Sequence, residues 1–408
     1  MRLQVRLTAA LGGVLAVLAA TALAACGSSS PREDLTATSA PPTATAPMTT
    51  TTLPTTTTEA APIVVDLSAR GPHPVGVTTR ELPDGSLIEI WYPAAAGTTG
   101  TESYDLREYT PDFLTPLLVN VTNAAFEFEA SRDAPVDADA DPFPLVVFSH
   151  GFAGMRVQST ALTSHLASYG MVVASPDHPS RDLRNVLGGT ASGQQTEAIA
   201  QLEAVLDLAA IWNENFDGAG LNFRDRIDLD RIALIGHSAG GASVQGAGND
   251  PRVRGYIALA AGGPPEGFDP PAIPGFFVAG STDGVVSPTE RTRPAHQNAA
   301  TPNWYLEIAQ TGHNGFDDFC LFGDGTGIVG VAEQAGLGAI LQAQPTLRVL
   351  GEDGCLPPAA PVELAHPLIH HAVTVWLQWL FGVQSDLLGL DTESLDRFAL
   401  GSVIAERQ

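Results

Sequence analysis

Four short segments carry side chains able to do nucleophilic chemistry. Gly236-His237-Ser238-Ala239-Gly240 follows the apolar run Arg231–Ile235 and precedes a stretch of small residues. A G-x-S-x-G sequence between a buried strand and a helix puts its serine on a sharp turn, with the hydroxyl exposed at the strand end. The flanking glycines let the backbone bend and let helix and strand pack closely. Ser238 is therefore the candidate nucleophile. A serine hydroxyl needs a base to take its proton, and the base needs a carboxylate to orient it and to stabilise its protonated form. Thr311-Gly312-His313-Asn314, after the run Trp304–Ile308, offers His313 as that base. Gly280-Ser281-Thr282-Asp283-Gly284, after the run Phe276–Ala279, offers Asp283 as the carboxylate. Phe148-Ser149-His150-Gly151-Phe152 closes an earlier apolar run. Attack on an acyl carbon creates an oxyanion that two backbone N–H groups commonly hold. The N–H of Ala239, directly after the nucleophile, and that of Phe152 are the candidates. His150 shapes this loop and, with His178 in Pro176-Asp177-His178-Pro179, is a candidate for the substrate pocket.

No other cluster competes for chemistry. His366, His370 and His371 contain one i,i+4 pair, but Pro367 falls inside it and no carboxylate completes an H-E-x-x-H frame. No metal and no cofactor are expected. The chain has three cysteines, too few for a disulfide-dense scaffold or a Cys₄ zinc site. Cys320 and Cys355 are expected to pair if the chain folds outside the cytoplasm, where disulfides persist; two buried free thiols are the alternative.

The elements that must position these residues are legible as alternating short apolar runs and helical stretches. Leu87–Pro93, Pro144–Phe148, Met171–Ala174, Arg231–Ile235, Gly255–Leu259, Phe276–Ala279 and Trp304–Ile308 read as strands. Several are apolar throughout, as expected for strands buried on both faces. Ile199, Leu202, Val205, Leu206 and Ala209 lie at helical spacing within Thr196–Trp212, and Val373–Phe381 reads as a closing helix with Pro367 near its start. Strands alternating with helices imply a mostly parallel sheet covered on both faces. Thr98–Asp141 and Phe319–Pro367 break the rhythm and read as two insertions near the mouth of the site.

Composition excludes some partners. The chain has 408 residues, 45 acidic and 20 basic, with a formal charge of −25. Every basic residue is arginine. Nucleic-acid binding needs clustered positive charge, so no nucleic-acid partner is expected; electrostatic docking on anionic lipid is excluded likewise. At the N-terminus, Arg2 and Arg6 precede an apolar run from Leu7 to Ala25, the order of a secretory signal. Residues 27–62 are mostly Ser, Thr, Pro and Ala and cannot bury a core, so they read as a disordered tether. Extended in polyproline geometry, the tether reaches on the order of 110 Å. The catalytic domain is expected over residues 63–408.

Two resemblances add to this reading. Leu23-Ala24-Ala25-Cys26, followed by Gly27 and three serines, resembles the bacterial lipobox. It implies removal of residues 1–25, a lipid such as palmitate on the Cys26 thiol, and an extracytoplasmic protein anchored to the bacterial cell membrane only through that lipid. Pro144–Phe152, Leu166–Ala174 and Gly236–Gly241, with Gly71–Val77 and Trp91–Pro93, resemble the platelet-activating-factor acetylhydrolase branch of the α/β-hydrolases, which bacterial dienelactone-hydrolase-like esterases share. The order Ser, Asp, His is that of the α/β-hydrolases. The resemblance implies an α/β-hydrolase fold and a cofactor-free, lipid-degrading serine esterase acting on small or medium acyl esters. One departure is informative. The acetylhydrolases carry their acid after the strand that follows the nucleophile, where this chain has Leu259-Ala260-Ala261. Asp283 stands instead where cutinase-like polyester hydrolases place theirs, so a polymeric ester is the alternative substrate. A surface binding protein without activity, an amidase and an acyltransferase are further alternatives.

Overall fold

The computed structural model describes residues 65–215, 222–343 and 345–408. The signal peptide, the Cys26 lipidation site and the tether lie outside the described residues. Twelve strands are described: β1 Val75–Glu81, β2 Leu87–Pro93, β3 Glu102–Asp105, β4 Ala125–Phe128, β5 Ser131–Arg132, β6 Phe143–Ser149, β7 Val172–Pro176, β8 Ile227–His237, β9 Val253–Leu259, β10 Gly275–Gly280, β11 Asn303–Ile308 and β12 Ser402–Arg407. Ten of them form one sheet in the order β12-β11-β10-β9-β8-β6-β7-β2-β1-β5, and β3 pairs with β4 as a separate hairpin. From β7 to β11 the neighbours run parallel, while β2 joins β7 and β12 joins β11 antiparallel.

Successive strand side chains point to opposite faces, and two cores follow from that period. Val146, Phe148, Ala233, Ile235, Ile257, Leu259 and Val278 pack on one face with the helices Thr160–Ser168 and Val362–Leu380. Leu145, Val147, Ile232, Leu234, Tyr256, Ala258 and Phe277 pack on the other with the helix Gln195–Glu214. That helix buries Ile199, Leu202, Val205, Leu206 and Ala209, the stripe its spacing predicts. The chain is an α/β fold with a mostly parallel sheet and helices on both faces.

Three parts differ from the sequence reading. The closing helix begins at Val362, and Pro367 lies inside it. A proline there removes one backbone bond; burial of Ala365, Leu368, Ile369 and Ala372 holds the helix together around it. The edge strand β12 was not anticipated; it alternates half-buried and exposed residues and caps the sheet beside β11. Thr98–Asp141 is less irregular than its polarity suggests. It holds the hairpin β3–β4 and buries Tyr104, Leu106, Tyr109, Leu114 and Leu118. No described helix is long and apolar enough to cross a membrane.

Candidate active site

β8 ends at His237, and the helix Ala239–Ala247 starts two residues on. Ser238 between them has φ 56° and ψ −121°, a conformation that L-residues rarely adopt. Two glycines make the turn possible. A Cβ on Gly236 would lie 2.2 Å from the Gly240 carbonyl oxygen, and one on Gly240 would lie 1.9 Å from that of Ser149. The helix start therefore presses directly on the end of β6.

Loops after β10 and β11 bring Asp283 and His313 to this turn. His313 Nε2 lies 2.9 Å from Ser238 Oγ, and His313 Nδ1 lies 2.9 Å from Asp283 Oδ2. Asp283 is fixed in turn, its Oδ1 accepting the N–H groups of Val285 and Val286. Burial alone would lower the pKa of His313. The Asp283 carboxylate, reinforced by Asp317 and Asp353, outweighs burial and holds it above the ordinary 6.5. The His237 ring packs 4.7 Å from that of His313, and its Nε2 meets the His313 carbonyl at 3.1 Å. Burial drives its pKa well down, so His237 stays neutral and adds no charge.

The site opens on a cavity of about 140 Å³ whose wall includes Gly151, Phe152, Ser238 and His313. The remaining wall is almost wholly apolar. Leu106, Leu114 and Leu118 come from the first insertion, and Val329, Leu341 and Leu350 from the second. The second insertion supplies three short helices, Gly327–Gln334, Gly338–Gln342 and Pro345–Glu352, which roof the cavity. Both stretches that break the strand–helix rhythm thus meet at the site. Neither the Phe152 nor the Ala239 N–H donates to an acceptor among the described residues.

His150 and His178 do not reach the cavity wall. Both are fully buried beneath the Phe152 loop. The His178 N–H donates to His150 Nε2 at 2.9 Å, and His178 Nε2 lies 2.9 Å from Ser149 Oγ. Burial pushes the His150 imidazole down to about 3, with the charge of Arg181 acting in the same direction. Two neutral rings bracing a loop replace the expected pocket contacts, because the β6 and β7 ends that carry them face each other inside the core. The three C-terminal histidines do not converge. His366 and His370 stack toward His165, whereas His371 turns the other way to the Gly389 carbonyl. Cys320 and Cys355 form a disulfide.

Four site residues escaped sequence reasoning. Asp353, in the second insertion, clamps both loops of the site: its Oδ1 accepts the His313 N–H at 2.6 Å and its Oδ2 the Gly284 N–H at 2.9 Å. Its carbonyl also accepts the Asn314 N–H. Gln158 ties the Phe152 loop to the base loop, its Oε1 accepting the Gly151 N–H and its Nε2 donating to Asp317 Oδ2. Asp317 is buried, and desolvation pushes its carboxyl up to about 7. Its one sequence signal is the acidic pair Asp317-Asp318 between phenylalanines, just after His313. Arg181 is the fourth.

Comparison with known proteins agrees with this architecture. The profile of the family described as platelet-activating factor acetylhydrolase, isoform II, matches residues 71–190. That of the PET hydrolase-like family matches residues 133–320, which include Ser238, Asp283 and His313. A platelet-activating factor acetylhydrolase of Gallus gallus is 27% identical over 265 residues, covering 50% of this chain and 61% of the relative. One of Canis lupus familiaris is 30% identical over 159 residues, covering 30% of this chain and 35% of the relative. Cutinase est2 of Thermobifida alba is 25% identical over 171 residues, covering 41% and 52%. The chain thus spans between about a third and three-fifths of the length of these relatives. The two matches overlap over residues 133–190, which hold β6, the Phe152 loop and β7, and with the mostly parallel sheet they support an α/β-hydrolase fold similar to both the platelet-activating factor acetylhydrolases and the PET hydrolase-like proteins.

Proposed function

We propose that this chain is a serine carboxylic-ester hydrolase acting through an acyl-enzyme on small or medium acyl esters. One observation carries the reading: an unbroken hydrogen-bonded series, Ser238 to His313 to Asp283, at the wall of an apolar cavity. Ser238 Oγ attacks the ester carbonyl as His313 Nε2 takes its proton. Asp283 holds the Nδ1–H tautomer and stabilises the imidazolium. The free N–H groups of Phe152 and Ala239 receive the oxyanion. Collapse expels the alcohol, protonated by His313, and leaves the acyl group on Ser238. Water, deprotonated by the same base, then releases the acid.

The cavity supports the substrate class. No carboxylate or guanidinium lines it among the described residues, so it favours an uncharged acyl chain. Apolar cavities of roughly 150 Å³ accommodate a benzene-sized group. A polyester is the second reading, favoured by the PET hydrolase-like match and by the position of Asp283 after β10. The insertion helices over the cavity argue for a discrete acyl chain instead. The reading includes a signal over residues 1–25, a lipid on Cys26, a tether over 26–62 and a catalytic domain over 63–408, held outside the bacterial cell membrane.

The test is a p-nitrophenyl ester series on the full chain. Hydrolysis is expected to peak at short to medium acyl groups and to fall for the longest. Activity that rises with chain length, or prefers a polyester film, would favour the second reading; no hydrolysis of any ester would remove the first. The base acts only when neutral, so kcat/KM falls as pH drops through the His313 pKa. That pKa is raised, so the acidic limb should have its midpoint above pH 6.5. A midpoint below 6.5 would contradict the Asp283–His313 pairing.

Asp353→Asn gives a separate prediction. An amide can accept from only one of the two N–H groups that Asp353 now holds, and it carries no charge. The loops loosen, and kcat/KM should fall by about 10–100-fold, the scale of a small misplacement of reacting groups. The acidic limb should also move to lower pH, since Asp353 is one of the carboxylates raising the pKa of His313. A fall in rate with the limb unmoved would limit Asp353 to a purely structural part.

A further inference from the structure

Arg181 is 3% exposed, yet among the described residues no carboxylate pairs with it. Burying an unpaired charge is costly, so its surroundings are informative. Nη2 donates to Ser149 Oγ and to the His150 carbonyl, both at 2.8 Å. Nη1 donates to Gln195 Oε1 and to Ser243 Oγ, both at 2.8 Å. The main-chain carbonyl of Arg181 accepts the Ala153 N–H, also at 2.8 Å. Arg181 therefore grips the backbone on both sides of Phe152: its side chain holds the His150 carbonyl and its main chain holds the Ala153 N–H.

It reaches the other wall of the site as well. Ser243 Oγ lies 3.0 Å from the Ala239 carbonyl and 2.7 Å from Gln195 Oε1. The Ser243 hydroxyl, which accepts from Arg181, faces both acceptors with its single proton and shares it between the Gln195 Oε1 and the Ala239 carbonyl. One guanidinium is thus tied to both segments that carry the candidate oxyanion donors, Phe152 and Ala239. Nε has no partner among the described residues. Burial lowers the guanidinium pKa only to about 9, so it is a cation at neutral pH.

We propose that Arg181 is the positioning residue of the oxyanion site, holding the Phe152 and Ala239 segments in register and placing an uncompensated positive charge beneath them. The proposal rests on the esterase reading above. Preorganised dipoles and charge act on the transition state, in which the oxyanion exists, more than on the neutral bound ester. Losing them therefore lowers kcat and leaves KM nearly unchanged.

The experiment measures kcat, KM and affinity for an alkylboronic acid, a tetrahedral analogue bound through the serine, in wild type, Arg181→Met, Arg181→Lys and Ser243→Ala. Fluorophosphonate labelling of Ser238 runs on each preparation. For Arg181→Met, kcat and boronate affinity should fall in parallel by about 10–100-fold, below the loss of a direct oxyanion donor, with KM nearly constant. Arg181→Lys should recover part of both, since it keeps the charge and loses the fork. Ser243→Ala leaves the guanidinium in place and cuts only its link to Ala239, so it should lower kcat several-fold. Wild-type kcat and boronate affinity in folded Arg181→Met would overturn the proposal. If Arg181→Met does not fold, wild-type values in both Arg181→Lys and Ser243→Ala overturn it equally. A wild-type chain that neither hydrolyses esters nor labels at Ser238 would instead overturn the esterase reading, and this inference with it.

Discussion

Ser238→Ala is expected to lower ester hydrolysis by about 10⁴–10⁶-fold in kcat and to abolish labelling by a fluorophosphonate. The hydroxyl is the atom that bonds to carbon, so nothing else in the site replaces it. What remains is binding in the cavity and the oxyanion donors, which still polarise a carbonyl but offer only water as nucleophile. The fold should survive. Among the described residues Ser238 Oγ has one hydrogen-bond partner, His313 Nε2, and the turn is set by backbone contacts around Gly236 and Gly240. Melting temperature is expected to change by no more than a few degrees, as for a substitution that removes one half-buried hydroxyl with a single side-chain partner. Ser238→Gly should be equally inactive, and no less stable, since glycine relieves the φ of 56°. Substantial hydrolysis by either variant would mean that catalysis runs elsewhere.

The largest effect on stability is expected from the disulfide. Cys320 and Cys355 are separated by 35 residues. In the chain-entropy model, a cross-link closing a loop of this length contributes roughly 3–4 kcal/mol. The same bond bears on the chemistry. Cys355 lies two residues after Asp353, which holds the His313 and Gly284 N–H groups. Cys320 Sγ lies 3.6 Å from the Asn314 carbonyl, next to the base. Cutting the bond therefore frees both ends of the clamp. The variant Cys320→Ser with Cys355→Ser should lose that stability in urea titration and, while still folded, turn over more slowly than wild type. If reduction of the wild-type protein changes neither its urea midpoint nor its kcat, the bond has neither function.

The two sites of largest effect differ in how visible they are in the sequence. Ser238 is legible because its turn is written within five consecutive residues: the strand before it must be apolar, and its neighbours must be small. Asp283, His313, Phe152 and Ala239 are legible for a related reason. Each sits directly after a buried strand, and in a parallel sheet the ends of such strands face one side of the molecule. The parallel core was readable from runs such as Leu145–Phe148, because strands buried on both faces have no polar alternation to hide them. The edge strand β12 lacks that run and was missed. The Val362 helix start was missed because local rules put Pro367 at a boundary, and packing overrode them.

By itself the sequence determined the fold class, the identity of the candidate triad and the two segments offering oxyanion donors, since these depend on short-range backbone geometry and on strand order. Tertiary structure decided which side chains hold those groups in place. Arg181, Gln158, Asp317 and Asp353 come from separate segments and meet the site through individual side-chain hydrogen bonds. Such a bond constrains one donor and one acceptor across a long stretch of chain and leaves no periodicity or motif behind. His150 and His178 show the converse: their types and positions suggested a pocket, and only the packing of β6 against β7 turned them into the core.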